Sequence, residues 1–127
     1  MNINILKSKI HRATVTDANI HYMGSITIDR ELMEHANLVA YEKVLVVSLD
    51  SGQRLETYVI EGKKGSREIC SNGAAARRII KGDRIIIMSF ASIDCQKAGG
   101  FKPKVLTLDE ENRIIDEEYH VDEHDQC

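Results

Sequence analysis

Residues 44–60 read VLVVSLDSGQRLETYVI, and this stretch predicts the fold more clearly than any other. Residues 44–49 are rich in β-branched side chains, and residues 54–60 form a second run of the same kind. Between them, Asp50-Ser51-Gly52 has the composition of a tight turn. The stretch therefore predicts a β-hairpin.

Further short strands are predicted on both sides of this hairpin. The predicted strands span residues 1–15, 68–71, 84–90 and 104–108, with a last one at Ile114-Ile115. Two short helices are predicted, one over residues 30–36 with Asp29 as N-cap and Asn37 at its end, and one over residues 74–80. Six or seven short strands with two short helices favour a mainly β fold, a small closed barrel without exposed sheet edges.

Length and charge indicate one domain with a different C-terminal end. A chain of 127 residues has room for a single core, which we assign to residues 1–118. The net charge is −3, yet residues 110–127 carry one arginine and eight acidic side chains, whereas the preceding part is mildly basic. We expect residues 119–127 to form a flexible acidic tail. No Lys/Arg run is long enough to indicate nucleic acid as a partner.

The cysteines and the apolar runs predict a cytoplasmic protein. The three cysteines are an odd number without zinc or redox spacing, which is typical of reduced thiols. Lysines interrupt the N-terminal apolar residues, and no run approaches the roughly 20 residues that cross a bilayer. His120, His124 and Cys127 suggest a metal tract, but without a helix signal or a fourth ligand we interpret them as part of a solvated tail, and we predict no metal.

Gly24-Ser25 is the first pair that could carry chemistry. A serine hydroxyl can attack the preceding carbonyl when the backbone is held in a strained turn, and glycine gives the attacking group room. Elimination and hydrolysis after this N-to-O acyl shift would leave a pyruvoyl group. Gly-Ser is more often an ordinary turn, and Gly65-Ser66 repeats the same dipeptide, so spacing alone leaves the choice between the two pairs open.

Two other features could contribute to a site. Asn72-Gly73-Ala74-Ala75-Ala76 places small residues at a helix start, where backbone N–H groups can bind an anion. Arg54 and Tyr58 share one strand face and could supply a carboxylate clamp and a proton donor. Each feature has an ordinary structural explanation when taken by itself, and so has His11.

Taken together, these motifs occur in the order and spacing of one family, over roughly residues 1–115. The chain resembles the pyruvoyl-dependent aspartate 1-decarboxylases, which make β-alanine for pantothenate. The matching motifs are Lys9-Ile10-His11-Arg12, Val15-Thr16, His21-Tyr22-Met23-Gly24-Ser25, Ile28-Asp29, Thr57-Tyr58, Gly65-Ser66, Asn72-Gly73-Ala74-Ala75-Ala76 and Gly82-Asp83.

The resemblance implies a fold, an assembly and a maturation step. The implied fold is a double-psi β-barrel, assembled as a homotetramer with active sites between subunits. Cleavage between Gly24 and Ser25 would give a chain of residues 1–24 and a chain of residues 25–127, and an accessory maturation protein could assist it. Gly65-Ser66 is then a structural loop.

The resemblance also implies a role for each site residue. Ser25 would become the pyruvoyl group that condenses with the amine of L-aspartate, so that no metal or separate cofactor is needed. Tyr58 would donate a proton. The residues implied to hold substrate are Lys9, Arg54, Thr57, Gly73, Ala74 and Ala75; those implied to support the site are His11, Tyr22 and Asn72.

A non-catalytic barrel is the alternative from a different class of function. Such a protein would bind an anionic ligand or a nucleic acid through Arg54, Arg77, Arg78 and Lys81, and its chain would stay uncut. Binding to nucleic acid would weaken steeply with salt. A purely structural subunit is a third possibility, and it would lack activity altogether.

Overall fold

The computed structural model describes residues 1–119, which form a mainly β structure. Its nine strands in this part of the chain are β1 (Asn2–Thr14), β2 (Asp17–Asn19), β3 (Ser25–Asp29), β4 (Lys43–Ser48), β5 (Arg54–Gly62), β6 (Ile69–Asn72), β7 (Arg84–Asp94), β8 (Lys104–Leu108) and β9 (Ile114–Tyr119). Helix α1 (Arg30–Ala36) follows β3, and two 3-10 helices span Gly73–Arg77 and Ala98–Gly100.

The strands form one mixed sheet in the order β2-β6-β3-β5-β4-β7-β1-β8-β9. The pairs β1·β8, β2·β6 and β3·β5 are parallel, and the other pairs are antiparallel. The predicted hairpin is confirmed as the antiparallel pair β4·β5. Parallel neighbours require the chain to cross over between strands, so hairpins alone could not build this sheet. The architecture fits the small β-barrel that the sequence predicts.

Aliphatic side chains from most of the strands meet in a single core. Ile10, Ile28, Ile69, Ile85 and Leu106 come from five different strands and are fully buried. Burying one such side chain contributes about 1.5–3 kcal/mol relative to leaving it in water. The core therefore connects the N-terminal strand to the last third of the described chain.

Asp29 joins the start of α1 to a distant loop. Its Oδ1 accepts hydrogen bonds from Glu31 N at 2.8 Å and Gly65 N at 2.9 Å, and its Oδ2 accepts one from Arg67 N at 2.7 Å. The carboxylate is buried, with 1% of the residue exposed. The predicted N-cap is confirmed, and so is the end of the helix, where Asn37 adopts a left-handed conformation with φ of 59°.

Replacing Asp29 with alanine should lower the free energy of unfolding by roughly 3–5 kcal/mol, because three backbone donors lose a charged acceptor. Urea unfolding followed by circular dichroism measures this loss. Asp94→Ala is the matched control, since Asp94 is exposed and its Oδ1 accepts one hydrogen bond among the described contacts, from Gln96 N at 3.0 Å. Equal destabilisation by the two substitutions would contradict this role for Asp29.

The number of strands exceeds the six or seven predicted, because the prediction omitted two. β2 consists of Asp17, Ala18 and Asn19, which have low strand propensity, and it exists through its parallel pairing with β6. β3 carries a β-branched signal in Ile26-Thr27-Ile28 that the prediction did not use. Both omitted strands pair with β6.

The second predicted helix and the tail also differ in detail. The helix predicted over residues 74–80 is a shorter 3-10 helix over Gly73–Arg77, and just after it Arg78 N and Ile79 N both donate to Ala75 O. Tyr119, the first residue of the predicted tail, is the last of β9. Residues 120–127, with the His/Cys tract, lie outside the described residues.

In the part that is described, no helix has the length and apolar character needed to cross a membrane.

Candidate active site

The Gly24-Ser25 peptide lies where an exposed loop enters the folded core. Tyr22 and Met23 are 53% and 74% exposed, whereas Ser25, the first residue of β3, is 1% exposed. A Cβ on Gly24 would meet no atom within 4 Å. The peptide thus connects an open segment to a residue that the sheet holds in place.

The hydroxyl of Ser25 has a defined partner on each side. Ser25 Oγ donates to Met23 O at 3.1 Å, so it points back along the chain across Gly24. It accepts a hydrogen bond from Asn72 Nδ2 at 3.0 Å. Ser25 and Asn72 are cross-strand partners in the antiparallel pair β3·β6, and Asn72 is also buried. Strand pairing therefore brings together two residues that are 47 positions apart in the chain.

The two Gly-Ser pairs have different surroundings. Ser66 is exposed, and its Oγ accepts a local hydrogen bond from Glu68 N at 3.3 Å. Gly65 N donates to Asp29 Oδ1, so this loop completes the N-terminus of α1. Only the Ser25 pair, of the two, combines burial with an amide donor to the serine hydroxyl.

Gly73 packs directly against the backbone next to Ser25. A Cβ at this position would lie 2.8 Å from both Gly24 Cα and Gly24 N, and 2.9 Å from Tyr22 O. Its φ of +65° is also one that side chains with a Cβ rarely adopt. Gly73 therefore allows the start of the 3-10 helix to lie against the loop that ends in Gly24.

An open cleft of about 440 Å³ adjoins the same loop. Its lining includes five residues that the sequence analysis assigned to the site: Gly24, Thr57, Tyr58, Ala74 and Ala75. The half-buried ring of Tyr58 lies 6.3 Å from that of Tyr41, centroid to centroid, at 35°. Two other depressions lie elsewhere on the described surface. One lies between the end of α1 and strands β8 and β9, the other lies beside β4 and β7, and neither is lined by Gly24 or Ser25.

Arg78 also lines this cleft, and the sequence analysis did not place it in the enzyme site. It directly follows the 3-10 helix and stands three residues after Ala75, which lines the cleft as well. Residues three apart align on one side of a 3-10 helix, so this spacing was a usable signal. Arg78 thus adds a basic residue of the same chain to the lining of the cleft.

Seven of the twelve predicted site residues are not among those that line this cleft in the described part of the chain. Three of the seven belong to the contacts around Gly24 described above, namely Ser25, Gly73 and Asn72. The other four lie elsewhere. Lys9 and His11 are half-buried on β1, Arg54 is exposed at the first position of β5, and Tyr22 is exposed in the loop before Gly24. Their roles remain predictions from the resemblance.

His11 has an unusual environment for a histidine. Burial lowers its pKa below the ordinary value, and the positive charges of Lys9, Arg12 and Arg84 lower it further. Its Nδ1 is buried and has no hydrogen-bond partner among the described residues. The imidazole is therefore better accommodated in its neutral form.

Acidification should consequently destabilise the fold through His11. Because the folded pKa lies below the unfolded one, the unfolded chain binds more protons as the pH falls through about 6.5, and stability falls with it. His11→Gln should show a smaller drop in thermal midpoint between pH 7.5 and 5.5 than the parent protein. His21→Gln, at an exposed position, is the control and should keep the full drop. An undiminished drop in His11→Gln would contradict this assignment.

Residues 1–119 contain no group of three or more His, Cys, Asp or Glu side chains arranged to hold an ion. Cys70 and Cys95 are both free thiols.

Fold and site together define a small mainly β protein whose most specialised position is a buried serine after an exposed glycine. A family model described as "Aspartate decarboxylase" matches residues 1–115. The chain belongs to the aspartate decarboxylase family. The predicted family, and with it the prediction of a decarboxylase, is confirmed.

Curated relatives support this membership over nearly the whole chain. An aspartate 1-decarboxylase of Clostridium kluyveri is 59% identical over 115 residues, covering 91% of each chain. One of Clostridium botulinum is 59% identical over 114 residues, covering 90% of each. One of Wolinella succinogenes is 52% identical over 121 residues, covering 95% of this chain and all of the relative.

A solved structure, of the computationally designed protein msDPBB_sym2, is a distant match. It is 11% identical, with a TM-score of 0.40, and covers 70% of this chain and 100% of that chain. A likeness of this size says nothing about function.

Proposed function

We propose that this protein cuts itself between Gly24 and Ser25 and then decarboxylates L-aspartate to β-alanine and CO2, for pantothenate biosynthesis in the cytoplasm. The decarboxylase activity rests on the family to which the chain belongs. The observation that carries the cleavage site is the buried Ser25 hydroxyl, which accepts a hydrogen bond from Asn72 and points back across Gly24.

The proposed cleavage uses only groups of the chain and water. Ser25 Oγ attacks the Gly24 carbonyl carbon and loses its proton, and the Gly24 C–N bond breaks as the Ser25 nitrogen takes up a proton. The resulting ester loses the Ser25 α-proton to a base, the Cβ–O bond breaks, and residues 1–24 leave as a carboxylate. The dehydroalanine left at position 25 tautomerises to an imine, and water replaces its nitrogen, which departs as ammonia.

The surroundings of Ser25 fit a pyruvoyl group at this position. Asn72 Nδ2 donates to Ser25 Oγ and to Thr27 Oγ1, so an amide donor lies beside the residue whose Cα would become the pyruvoyl carbonyl carbon. The adjoining cleft gives an open approach past Gly24 and Tyr58. A pyruvoyl carbonyl supplies an electron-accepting group for the electrons that a departing carboxylate leaves behind.

Residues of the cleft would bind and orient the substrate. Tyr58 is the proposed proton donor, and Thr57 with the backbone of Gly73, Ala74 and Ala75 would hold L-aspartate beside position 25. The clamp on its carboxylates is proposed to come from Arg54 and Lys9. Because these two residues do not line the cleft of their own chain among the described residues, they would have to reach it from a neighbouring subunit of the proposed homotetramer, whose sites lie between subunits.

A denaturing intact-mass spectrum of the purified protein tests this proposal. We expect one fragment of residues 1–24 and a second of residues 25–127, the latter lighter by one NH3 than a chain that begins with serine. The same preparation should convert L-aspartate to β-alanine without added metal or cofactor. An intact chain that remains uncut after prolonged warming, alone or with a maturation protein, would overturn the proposal.

A further inference from the structure

The carboxamide of Asn72 uses both of its ends. Its Nδ2 donates to Ser25 Oγ at 3.0 Å and to Thr27 Oγ1 at 2.9 Å. Its Oδ1 accepts a hydrogen bond from the thiol of Cys70, with Sγ and Oδ1 3.2 Å apart, whereas the other acceptor near this thiol, Ser71 O, is 3.8 Å away. Cys70 is thus the residue on the far side of the amide that faces Ser25.

The pairing of β3 with β6 places these four side chains on one face. Ser25 is opposite Asn72, and Thr27 is opposite Cys70, in an antiparallel register. Because side chains alternate along a strand, residues two apart point to the same side of the sheet. The arrangement is therefore a consequence of strand register.

The orientation of the Asn72 carboxamide follows from which of its neighbours has a hydrogen to donate to it. The single hydroxyl hydrogen of Ser25 is donated to Met23 O, so Ser25 Oγ can only accept from Asn72. An amide rotated by half a turn would place its oxygen against this acceptor and lose the bond. A donor on the opposite side of Asn72 opposes that rotation, and the Cys70 thiol is such a donor.

The thiol is suited to this role because it stays protonated. Burial raises the pKa of Cys70 above its ordinary value, and the nearby charges of Asp17 and Glu68 raise it further. A thiolate would have no hydrogen to donate and would repel the amide oxygen. The Cys70 thiol therefore keeps its hydrogen at neutral pH.

We propose that Cys70 is a positioning residue for self-cleavage, whose thiol holds the Asn72 carboxamide in the orientation that donates to Ser25 Oγ. The proposal rests on the proposed function and adds a specific residue to its maturation step. Cys70 acts through Asn72 and does not itself touch the reacting atoms.

The rate of cleavage, followed by intact mass from freshly purified precursor, tests this role. Cys70→Ala should cleave roughly fivefold or more slowly, because the amide loses the bond that directs it. Cys70→Ser, which restores a donor, should return to within about twofold of the parent rate. The matched control is Cys95→Ala, which removes an exposed thiol and should cleave at the parent rate.

Two further measurements keep the outcomes distinct. The thermal midpoint of each variant shows whether slow cleavage results from poor folding. If Cys70→Ala is poorly folded, Cys70→Val takes its place, because valine fills the space of the cysteine without supplying a hydrogen-bond donor. A Cys70→Ala or Cys70→Val protein that cleaves at the parent rate, or a Cys70→Ser protein as slow as they are, would overturn this inference alone. A parent protein that never cleaves would overturn the proposed function, and this inference with it.

Discussion

Replacing Ser25 with alanine is expected to leave one uncut chain and to lower β-alanine formation by about 10³-fold or more, the scale of removing an essential nucleophile. Alanine keeps the small size of the side chain at this buried position but has no oxygen to attack the Gly24 carbonyl. Intact mass measures the cleavage, and chromatography of the reaction products measures β-alanine.

Ser66→Ala is the matched control for this prediction. It removes the hydroxyl of the other Gly-Ser pair, which is exposed and accepts only a local bond from Glu68 N among the described contacts. This variant should cleave and turn over like the parent. If Ser25→Ala produced two fragments, or if Ser66→Ala alone blocked cleavage, the assignment of the reactive serine would be wrong.

Gly73→Ala is expected to slow cleavage by about 10²-fold, the size of effect that a displacement of roughly 1 Å has on a positioned reaction. The added Cβ would lie 2.8 Å from Gly24 Cα and Gly24 N, and because these are backbone atoms no side-chain rotation can relieve the contact. The loop ending in Gly24 must therefore shift, which changes the position of the Gly24 carbonyl relative to Ser25 Oγ. A time course of intact mass measures the slower cleavage.

Gly52→Ala separates this contact from simple backbone strain. Gly52 has φ of +74°, close to the +65° of Gly73, but a Cβ there meets no atom within 4 Å. Alanine in the left-handed region should lower stability by about 1–2 kcal/mol at either site. Gly52→Ala should nevertheless cleave at the parent rate, and equal rates in the two variants would contradict a role for the Gly73 contact.

The elements that were predicted correctly depend on residues close together in the chain. The β4·β5 hairpin follows from two β-branched runs around Asp50-Ser51-Gly52, and the limits of α1 follow from Asp29 and Asn37. β2 was not predicted because Asp17-Ala18-Asn19 forms a strand only through its pairing with β6. Local preference is weak in such a segment, and tertiary pairing decides its structure.

In the candidate site too, some features follow from residues close together in the chain and others from tertiary pairing. The motifs that carry the resemblance are short and local, and they identified the family and drew attention to Ser25, Thr57, Tyr58 and Asn72. Gly24-Ser25 and Gly65-Ser66 are identical as dipeptides, so the dipeptide alone could not rank them, and the choice of Ser25 came from the resemblance. Their difference lies in burial and in the Asn72 amide, which the β3·β6 register supplies.

The sequence by itself therefore determined the fold class, the family and a short set of candidate residues, because these depend on composition, periodicity and motif spacing. Only the tertiary structure decided that Gly73 lies against Gly24, that Arg78 lines the cleft, and that Cys70 directs its thiol to Asn72. The physical reason is that such contacts are created by strand order and register, which bring together backbone and side chains from separate parts of the chain.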